Sequence, residues 1–229
     1  GGNTSVKTNI KDIDGKNYDI LCVKGSGWDM AEIEPEGLPA VKLQPLLSLK
    51  NKKHLSDEDM VSFQKKNLIN IKSPNPSVET FLHAFLPFKF VDHTHADAVL
   101  NVTNRPGGLN FCKKIFGDKV SIVPYVMPGF MLARKISEIY AKNPNINCLI
   151  LMNHGIFTFA NDCKEAYDLM IKYVSKAERA VKKLKSKKIK QIKKFSTKFE
   201  PHDIAPIIRG FLSENKDQKF VVNYRQNKH

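Results

Sequence analysis

Apolar residues recur along the chain in short runs separated by turn-forming residues, which is the pattern of β-strands. The runs that predict strands lie at 3–10, 18–24, 120–125, 148–152, 156–159 and 220–224. The first two flank a Gly-containing turn at 12–15 and form a predicted hairpin. The run 148–152 is wholly apolar, so we expect this strand to be buried on both faces of a sheet.

Apolar residues spaced three and four positions apart predict helices between the strands. This spacing marks the segments 41–49, 77–86, 109–116 and 130–141, a long stretch after Asp162, and 201–213. Ser77 is the expected N-cap of the helix that ends at Pro87. Asp162 and Glu165 form a D-x-x-E capping box at the start of the longest helix. Strands alternating with helices indicate an α/β protein.

Composition narrows the class of protein. The chain has 229 residues, of which 41% are hydrophobic, enough for one large domain or two small ones; we expect a single domain over 1–229. No run of about 18 apolar residues and no signal-peptide pattern is present, so we expect no membrane span. The four cysteines show no C-x-x-C spacing, which is typical of free thiols in a cytoplasmic protein.

The net charge of +14 comes mostly from one segment. Twelve Lys or Arg residues and one acid, Glu178, lie between Lys172 and Lys198, so this segment carries +11 of the charge. A solvated helix face in a lysine-rich protein explains it better than a nucleic-acid stripe does, because aromatic residues are sparse there. We therefore expect no nucleic-acid partner.

Two histidines follow the apolar pair at Phe90 and Val91. His93 and His95 are two residues apart, and residues i and i+2 of a strand project from the same face. Two imidazoles on one face supply half or more of a transition-metal site. For an isolated His-x-His pair, two polar histidines at a strand end are the more common explanation, so the rest of the chain has to decide.

Other polar residues stand at the ends of predicted elements. His154 follows the apolar run 148–152 beside Gly155, where it could be a third metal ligand. Glu79 lies in the first turn after Ser77, where a carboxylate also suits the helix dipole and can be purely structural. Glycines in the stretch 24–27 allow backbone N–H groups to approach an anion, although on its own this stretch is better explained as a plain turn.

Five short motifs occur in an order that resembles a known family. They are Gly-Gly-Asn-Thr-Ser at 1–5, Lys-Gly-Ser-Gly at 24–27, Pro-Ser-Val-Glu-Thr at 76–80, His-Thr-His-Ala-Asp-Ala at 93–98 and Asn-His-Gly at 153–155. The chain resembles the class II aldolase/adducin family over nearly its whole length. It looks closest to the aldolase half of the bifunctional rhamnulose-1-phosphate aldolase/short-chain dehydrogenase proteins, to which 123–130 and 207–210 are also similar.

The resemblance implies a fold and a set of residue roles. The fold is a three-layer α/β/α sandwich around a central mixed, largely antiparallel sheet. His93, His95 and His154 would bind a divalent ion, most often Zn²⁺, and leave one position open to the substrate. Glu79 would be the general acid/base. The phosphate of the sugar substrate would be held by Asn3, Gly25, Ser26 and Ser77.

The implied activity is cleavage of a ketose 1-phosphate, such as rhamnulose 1-phosphate, to dihydroxyacetone phosphate and an aldehyde. Breaking the C3–C4 bond leaves negative charge on an enediolate, which a metal can stabilise without a lysine Schiff base. Epimerases and dehydratases of the family use the same three histidines. Adducin-type interaction modules lack them, so that alternative is weaker. The resemblance also implies a homotetramer with sites between subunits.

Two departures from the family pattern bear on the branch. The helices that precede the Gly-Gly-Asn motif in the family are not in this sequence. No G-x-G-x-x-G motif of a dinucleotide-binding domain occurs either. We therefore expect an aldolase domain without its dehydrogenase partner in this chain.

Overall fold

The computed structural model describes residues 2–11, 13, 15–184, 199–213 and 221–224. The chain divides into two compact units, Gly1–Leu184 and Lys185–His229, and each is described by itself. The expected single domain over 1–229 stays a prediction. Three of the sequence-based expectations fall partly outside the described residues. They concern the second half of the lysine-rich segment, two residues of the 12–15 turn, and Phe220 of the last expected strand.

One seven-stranded mixed sheet forms the centre of the first unit, with the strand order β3-β2-β1-β4-β7-β6-β5. Every neighbouring pair is antiparallel except β5 and β6, which are parallel. The strands are β1 (Gly2–Lys11), β2 (Asn17–Val23), β3 (Ala40–Lys42), β4 (Phe90–Thr94), β5 (Val120–Val123), β6 (Cys148–Leu151) and β7 (Gly155–Ala160). The predicted hairpin is the pair β1 and β2.

Helices cover both faces of this sheet. On one face lie α1 (Leu43–Ser48), α2 (Asp57–Lys66), α3 (Thr80–Phe85) and α6 (Phe130–Lys142). On the other lie α4 (Asp97–Thr103), α5 (Gly108–Phe116) and α7 (Cys163–Lys183). A short 3₁₀ helix spans Pro35–Gly37. The expected three-layer α/β/α sandwich with a mixed, largely antiparallel sheet is confirmed.

The alternation of side chains along a strand explains why there are two hydrophobic cores. In β6, Leu149 and Leu151 pack into the core beneath α3 and α6, while Cys148 and Ile150 pack into the core beneath α4 and α7. All residues of β6 are buried, which confirms the prediction for 148–151, whereas Met152 lies beyond the end of the strand and is half-buried. A central strand with helices on both sides needs apolar residues at every position.

Two element boundaries differ from the predictions. α3 begins at Thr80, and its N-cap position is Glu79, so the expectation that Ser77 caps this helix was wrong. The hydroxyl of Ser77 instead accepts a hydrogen bond from the Glu79 backbone N–H, at 3.2 Å. β4 ends at Thr94, so His95 is the first residue beyond the strand.

Three elements were not predicted from the sequence, whereas the cap of α7 was. α2, α4 and β3 are absent from the sequence-based expectations, although Ser56 followed by three acidic residues is a recognisable start of α2. The side chain of Asp162 accepts a 2.9 Å hydrogen bond from the Glu165 N–H, which confirms the cap of α7. That bond satisfies one of the free N–H groups at the helix start.

In the second unit, α8 spans Pro201–Ser213, close to the predicted helix. The residues 221–224, for which a strand was expected, form no regular structure. Across the part of the chain that the structure describes, no helix combines the length and apolar character needed to cross a bilayer.

Candidate metal and acid–base site

The end of β4 and the turn between β6 and β7 bring three histidines together. The ring centroids of His93 and His95 are 4.7 Å apart, and that of His154 is 5.0 Å from each of the other two. Each ring offers one nitrogen such that all three nitrogens lie within 4.8 Å of one another. The structure therefore places His154 beside the His-x-His pair, although the residues come from separate parts of the chain.

The orientation of His93 is fixed by its surroundings. Its Nδ1 atom lies 2.9 Å from the backbone carbonyl oxygen of Ile156, and a carbonyl only accepts, so Nδ1 carries the proton. Its ring also stacks on Phe157 with centroids 4.0 Å apart. The Nε2 atom is thus left as a lone-pair donor facing the cluster, buried and without a hydrogen-bond partner. Metal-binding histidines usually donate their other ring N–H to such a carbonyl, which fixes the orientation of the ring.

His154 reaches the cluster because of the local backbone. Asn153 adopts a left-handed conformation with φ of 60°, which turns the chain sharply between the two strands. Gly155 follows, and a Cβ atom there would lie 2.5 Å from the carbonyl oxygen of Thr94 and 3.0 Å from the His93 ring. The close approach of this turn to the end of β4 therefore requires glycine at 155.

The three imidazoles favour their neutral form. Burial lowers the pKa of His93 well below its usual value, and it lowers that of His95 as well. Burial, together with the nearby His95, lowers the pKa of His154 to about 4. Neutral imidazole is the form that binds metals, so at neutral pH all three rings can act as ligands without first losing a proton.

Glu79 places a carboxylate against this cluster. Its Oε2 atom is 3.4 Å from His93 Nε2, and its Oε1 atom is 3.3 Å from His154 Nε2. The side chain is almost fully buried, and burial raises its pKa to about 7, although a hydrogen bond from Asn3 opposes the shift. A carboxyl with a pKa near neutrality can both take up and release a proton at physiological pH.

Asn3 joins Glu79 to the central sheet. Position 3 of β1 pairs directly with His93 of β4. The Nδ2 atom of Asn3 donates to Glu79 Oε2 at 2.8 Å and to the hydroxyl oxygen of Ser77 at 3.0 Å. Both Asn3 and Ser77 are buried, and both form a hydrogen bond with Glu79. Their side-chain polar atoms are thus occupied within the protein.

The loop 24–27 lies against the loop that precedes α3. A backbone bridge joins Gly25 to Pro76, and the Ser77 N–H donates to the Lys24 carbonyl at 3.1 Å. The N–H groups of Gly25 and Ser26 donate to the carbonyls of Gly37 and Asn75, both at 2.8 Å. All four residues expected to contact phosphate thus lie in one neighbourhood, and the exposed side chain of Ser26 is the most accessible of them. Their role in binding phosphate stays a prediction.

Sequence reasoning missed a buried polar layer behind Glu79. Asn3, Ser5 and Lys7 alternate along one face of β1, and all three bond to His83 of α3 or to its backbone. Polar residues at i, i+2 and i+4 suggest a strand face open to water, whereas here α3 covers that face. The signal that could have revealed the layer is His83 itself, on the apolar face of a short helix.

Comparison with known proteins identifies the family. Residues 1–181 match the profile described as Class II Aldolase and Adducin N-terminal domain. The chain belongs to this class II aldolase and adducin family. The expected family resemblance is therefore confirmed, while the closer likeness to the rhamnulose-1-phosphate aldolase branch stays a prediction.

Individual relatives support the assignment. The N-terminal class II aldolase domain of a conserved protein from Thermoplasma acidophilum is 42% identical, with a TM-score of 0.74 over 79% of this chain and 84% of that one. A sugar-phosphate aldolase from Thermotoga maritima shares the fold at 17% identity, with a TM-score of 0.57 over 79% of this chain and 84% of its own.

A longer relative comes from Bacillus subtilis. The protein named uncharacterized oxidoreductase YuxG is 35% identical over 235 residues, which take in 98% of this chain and 33% of the relative. The chain thus spans about a third of the length of that relative.

Proposed function

We propose that this domain is a metal-dependent lyase that cleaves a ketose 1-phosphate, rhamnulose 1-phosphate or a close analogue, by retro-aldol chemistry. The products are dihydroxyacetone phosphate and an aldehyde. The observation that carries the proposal is a cluster of three imidazoles at one end of the sheet, two of which, His93 and His154, contact the buried carboxylate of Glu79. Membership of the aldolase family supports it.

The donor atoms fit a divalent metal such as zinc. His93 Nε2 is buried without a hydrogen-bond partner, and its Nδ1 proton is held by a backbone carbonyl. Three neutral imidazoles with one open position form the usual catalytic zinc set, so His93, His95 and His154 would hold the ion. When bound, the metal supplies Lewis-acid stabilisation of the negative charge that develops on substrate oxygen.

Glu79 is the group that moves protons in this proposal. Its carboxylate accepts the proton of the C4 hydroxyl as the C3–C4 bond breaks and the aldehyde carbonyl forms. The electron pair of that bond stays on the C3 fragment, and Glu79 then delivers the proton to C3 to complete dihydroxyacetone phosphate. A pKa of about 7, raised by burial, suits a group that alternates between the two states.

The loops 24–27 and 75–77 are the proposed phosphate-binding region. Gly25, Ser26, Ser77 and Asn3 lie there beside Glu79, so a phosphate bound at this place would fix the sugar at a set distance from the acid–base group. Binding energy from the non-reacting phosphate then contributes to orienting the reacting bond. Lys24 adds a positive charge to the same loop.

We further propose that the domain works as a homotetramer, as the family resemblance implies. Large apolar side chains after β5 support this, because Tyr125 and Met127 are exposed in the single chain. Light scattering of the purified protein measures the assembly directly, and a monomer at micromolar concentration would contradict the proposal.

The name oxidoreductase belongs to the whole Bacillus relative, of which this chain matches a third. The sequence here has no G-x-G-x-x-G motif, so we propose the lyase reaction and no hydride transfer for it.

A product assay tests the proposed function. Purified protein with zinc is incubated with several ketose 1-phosphates, and dihydroxyacetone phosphate is measured with a coupled reductase. We expect product from at least one substrate, and we expect none from the variant His93→Ala, which also loses bound metal in elemental analysis. His54→Ala is the matched control, since His54 is exposed and distant from the cluster in sequence.

The outcomes separate the candidate reactions. Conversion of a ketose phosphate without release of dihydroxyacetone phosphate would replace the lyase with an epimerase or dehydratase. Absence of bound metal in the wild-type protein together with absence of turnover would leave an adducin-like interaction module.

A further inference from the structure

A chain of three buried side-chain contacts leads from β1 and α3 to the carboxylate of Glu79. The Ser5 hydroxyl lies 2.7 Å from His83 Nδ1, and His83 Nε2 lies 2.5 Å from Asn3 Oδ1. Asn3 Nδ2 in turn lies 2.8 Å from Glu79 Oε2. His83 and Ser5 belong to none of the groups that touch the histidine cluster. They stand one layer behind it, with His83 fully buried.

The direction of each hydrogen bond follows from the chemistry of the atoms. Asn3 Oδ1 is an acceptor only, so His83 Nε2 carries a proton and donates it. Burial and the nearby Lys7 lower the pKa of His83 to about 3, so the ring is neutral and Nδ1 has a lone pair. The Ser5 hydroxyl therefore donates to Nδ1. Every donor in the chain points the same way, from Ser5 towards Glu79.

This order decides which way the amide of Asn3 faces. If the amide were rotated by 180°, its NH₂ group would meet the N–H of His83, and its carbonyl oxygen would meet Glu79 Oε2. Two donors would then face each other at one end and two acceptors at the other, all of them buried and unsatisfied. The ionised carboxylate of Glu79 only accepts, so it takes the NH₂ group of Asn3, and the Asn3 carbonyl then faces His83, which satisfies it with the proton on Nε2.

The two oxygens of Glu79 are thereby made different. Oε2 receives the Asn3 hydrogen bond, whereas Oε1 has no hydrogen-bond partner among the described residues and lies 3.3 Å from His154 Nε2. We propose that His83 is a positioning residue that acts through Asn3, holding Oε2 in place so that Oε1 is the oxygen that exchanges protons with the substrate. The catalytic part of this inference rests on the proposed function, but the orientation of Asn3 does not.

A role in packing alone is the alternative. His83 also contacts the edge of the Phe157 ring, with centroids 5.6 Å apart, and Phe157 stacks on His93. A change at His83 could therefore disturb His93 through Phe157 without any part for Asn3. An experiment must therefore distinguish an effect of His83 through its hydrogen bond to Asn3 from an effect through its contact with the Phe157 ring.

A double-mutant cycle on stability separates these routes without any assay of activity. The variants are His83→Phe, which keeps the ring and removes the donor, Asn3→Ala, and the pair of changes together. We expect the effects on the unfolding equilibrium constant in urea to be non-additive by about fivefold, the size of one net hydrogen bond. The control cycle pairs Thr158→Val, which loses a buried bond to the Ala166 carbonyl, with Asn3→Ala, and we expect additivity there.

Kinetic measurements on the metal-loaded protein test the catalytic part. We expect His83→Phe to lower kcat at least tenfold while KM stays within twofold of wild type. In the Asn3→Ala background, we expect His83→Phe to cause no further loss of kcat. His83→Gln retains an N–H donor within reach of Asn3, so we expect it to recover kcat to within about threefold of wild type. It also supplies a folded comparison if His83→Phe proves too unstable to purify.

The results separate the two proposals. Additive effects of His83→Phe and Asn3→Ala on unfolding would overturn the orientation of Asn3 by His83. The catalytic part of the inference would be overturned, in favour of packing, by either of two results. One is an equal loss of kcat in His83→Phe and His83→Gln. The other is a loss of kcat on changing His83→Phe that is just as large when Asn3 is already alanine. If the wild type cleaves no ketose phosphate, the lyase proposal and the catalytic part fail, while the unfolding cycle still decides whether His83 orients Asn3.

Discussion

Asn3 donates a 2.8 Å hydrogen bond to the carboxylate of Glu79, from a position 76 residues earlier in the chain. The same asparagine pairs across the sheet with His93, whose ring faces that carboxylate. Asn3 of β1 therefore contacts both Glu79, which precedes α3, and His93, which lies on β4.

Replacement of the acid–base group should stop turnover and leave the metal in place. In Glu79→Gln the amide is nearly the same size and can still accept from Asn3, but it cannot take up a proton. We expect kcat to fall by about 10²–10⁴-fold with the zinc content unchanged, measured by the coupled assay and elemental analysis. Glu58→Gln, an exposed change at the start of α2, is the matched control. Activity within twofold of wild type in Glu79→Gln would exclude Glu79 as the proton-transfer group.

Metal binding should stabilise the fold. At a free zinc concentration 100 times the dissociation constant, we expect the free energy of unfolding of metal-depleted protein to rise by about 2.7 kcal/mol. His154→Ala removes one of three ligands and should lose most of that gain, whereas His202→Ala, an exposed change on α8, should keep it. Urea titrations with and without zinc give the measurement. An equal gain in all three proteins would mean that the ion binds elsewhere.

A methyl group at position 155 should disturb the site through the backbone. In Gly155→Ala the new Cβ would lie 2.5 Å from the Thr94 carbonyl oxygen and 3.1 Å from the His95 ring. We expect a loss of about 1–3 kcal/mol in the free energy of unfolding, together with weaker zinc binding in calorimetry. Gly210→Ala, where a Cβ meets nothing within 4 Å, serves as the control and should not lower stability. Unchanged zinc affinity in Gly155→Ala would contradict the tight fit of the turn.

Lys7 should make stability depend on pH above neutrality. Its Nζ atom donates to the carbonyls of His83 and Phe88, both at 2.7 Å, and burial lowers its pKa from 10.5 to about 7. Between these pH values the unfolded chain binds a proton that the folded protein lacks, so the free energy of unfolding rises with pH in this window. Below it Lys7 is charged in both states, and its contribution no longer changes with pH.

The variant Lys7→Met isolates that contribution. We expect the stability of wild type minus that of Lys7→Met to increase steadily from pH 7 to pH 10 in urea titrations. Lys11→Met, at the exposed end of the same strand, should follow the wild-type curve. Parallel curves for wild type and Lys7→Met would show that Lys7 keeps its proton when the protein folds.

The sequence was informative wherever local pattern and local structure agree. The wholly apolar run 148–152 can only be a strand covered on both sides, and the capping residues Asp162 and Glu165 mark the start of α7. The convergence of His93, His95 and His154 was expected from the order of motifs in the family. No local rule in the sequence brings strand β4 against the turn at residue 153.

The polar layer behind Glu79 was not predicted, because its bonds join residues far apart in the chain and His83 was the one hint of it in the sequence. The alternating polar residues Asn3, Ser5 and Lys7 suggest a strand face exposed to solvent. In the structure this face is covered by α3, whose His83 bonds to all three. The start of α3 was misplaced for a similar reason. Ser77 looks like a cap locally, but its hydroxyl also accepts from Asn3, a partner that only the sheet can bring near.

The position of β1 between β2 and β4 has a consequence for biosynthesis. The hairpin with β2 can close soon after both strands leave the ribosome, but the partner of Asn3 on the other side is made roughly ninety residues later. Until β4 emerges, the nascent chain exposes an unpaired strand edge that can join another molecule. Chaperone capture during translation would therefore be most useful in that interval, before β4 can bring His93 beside Asn3.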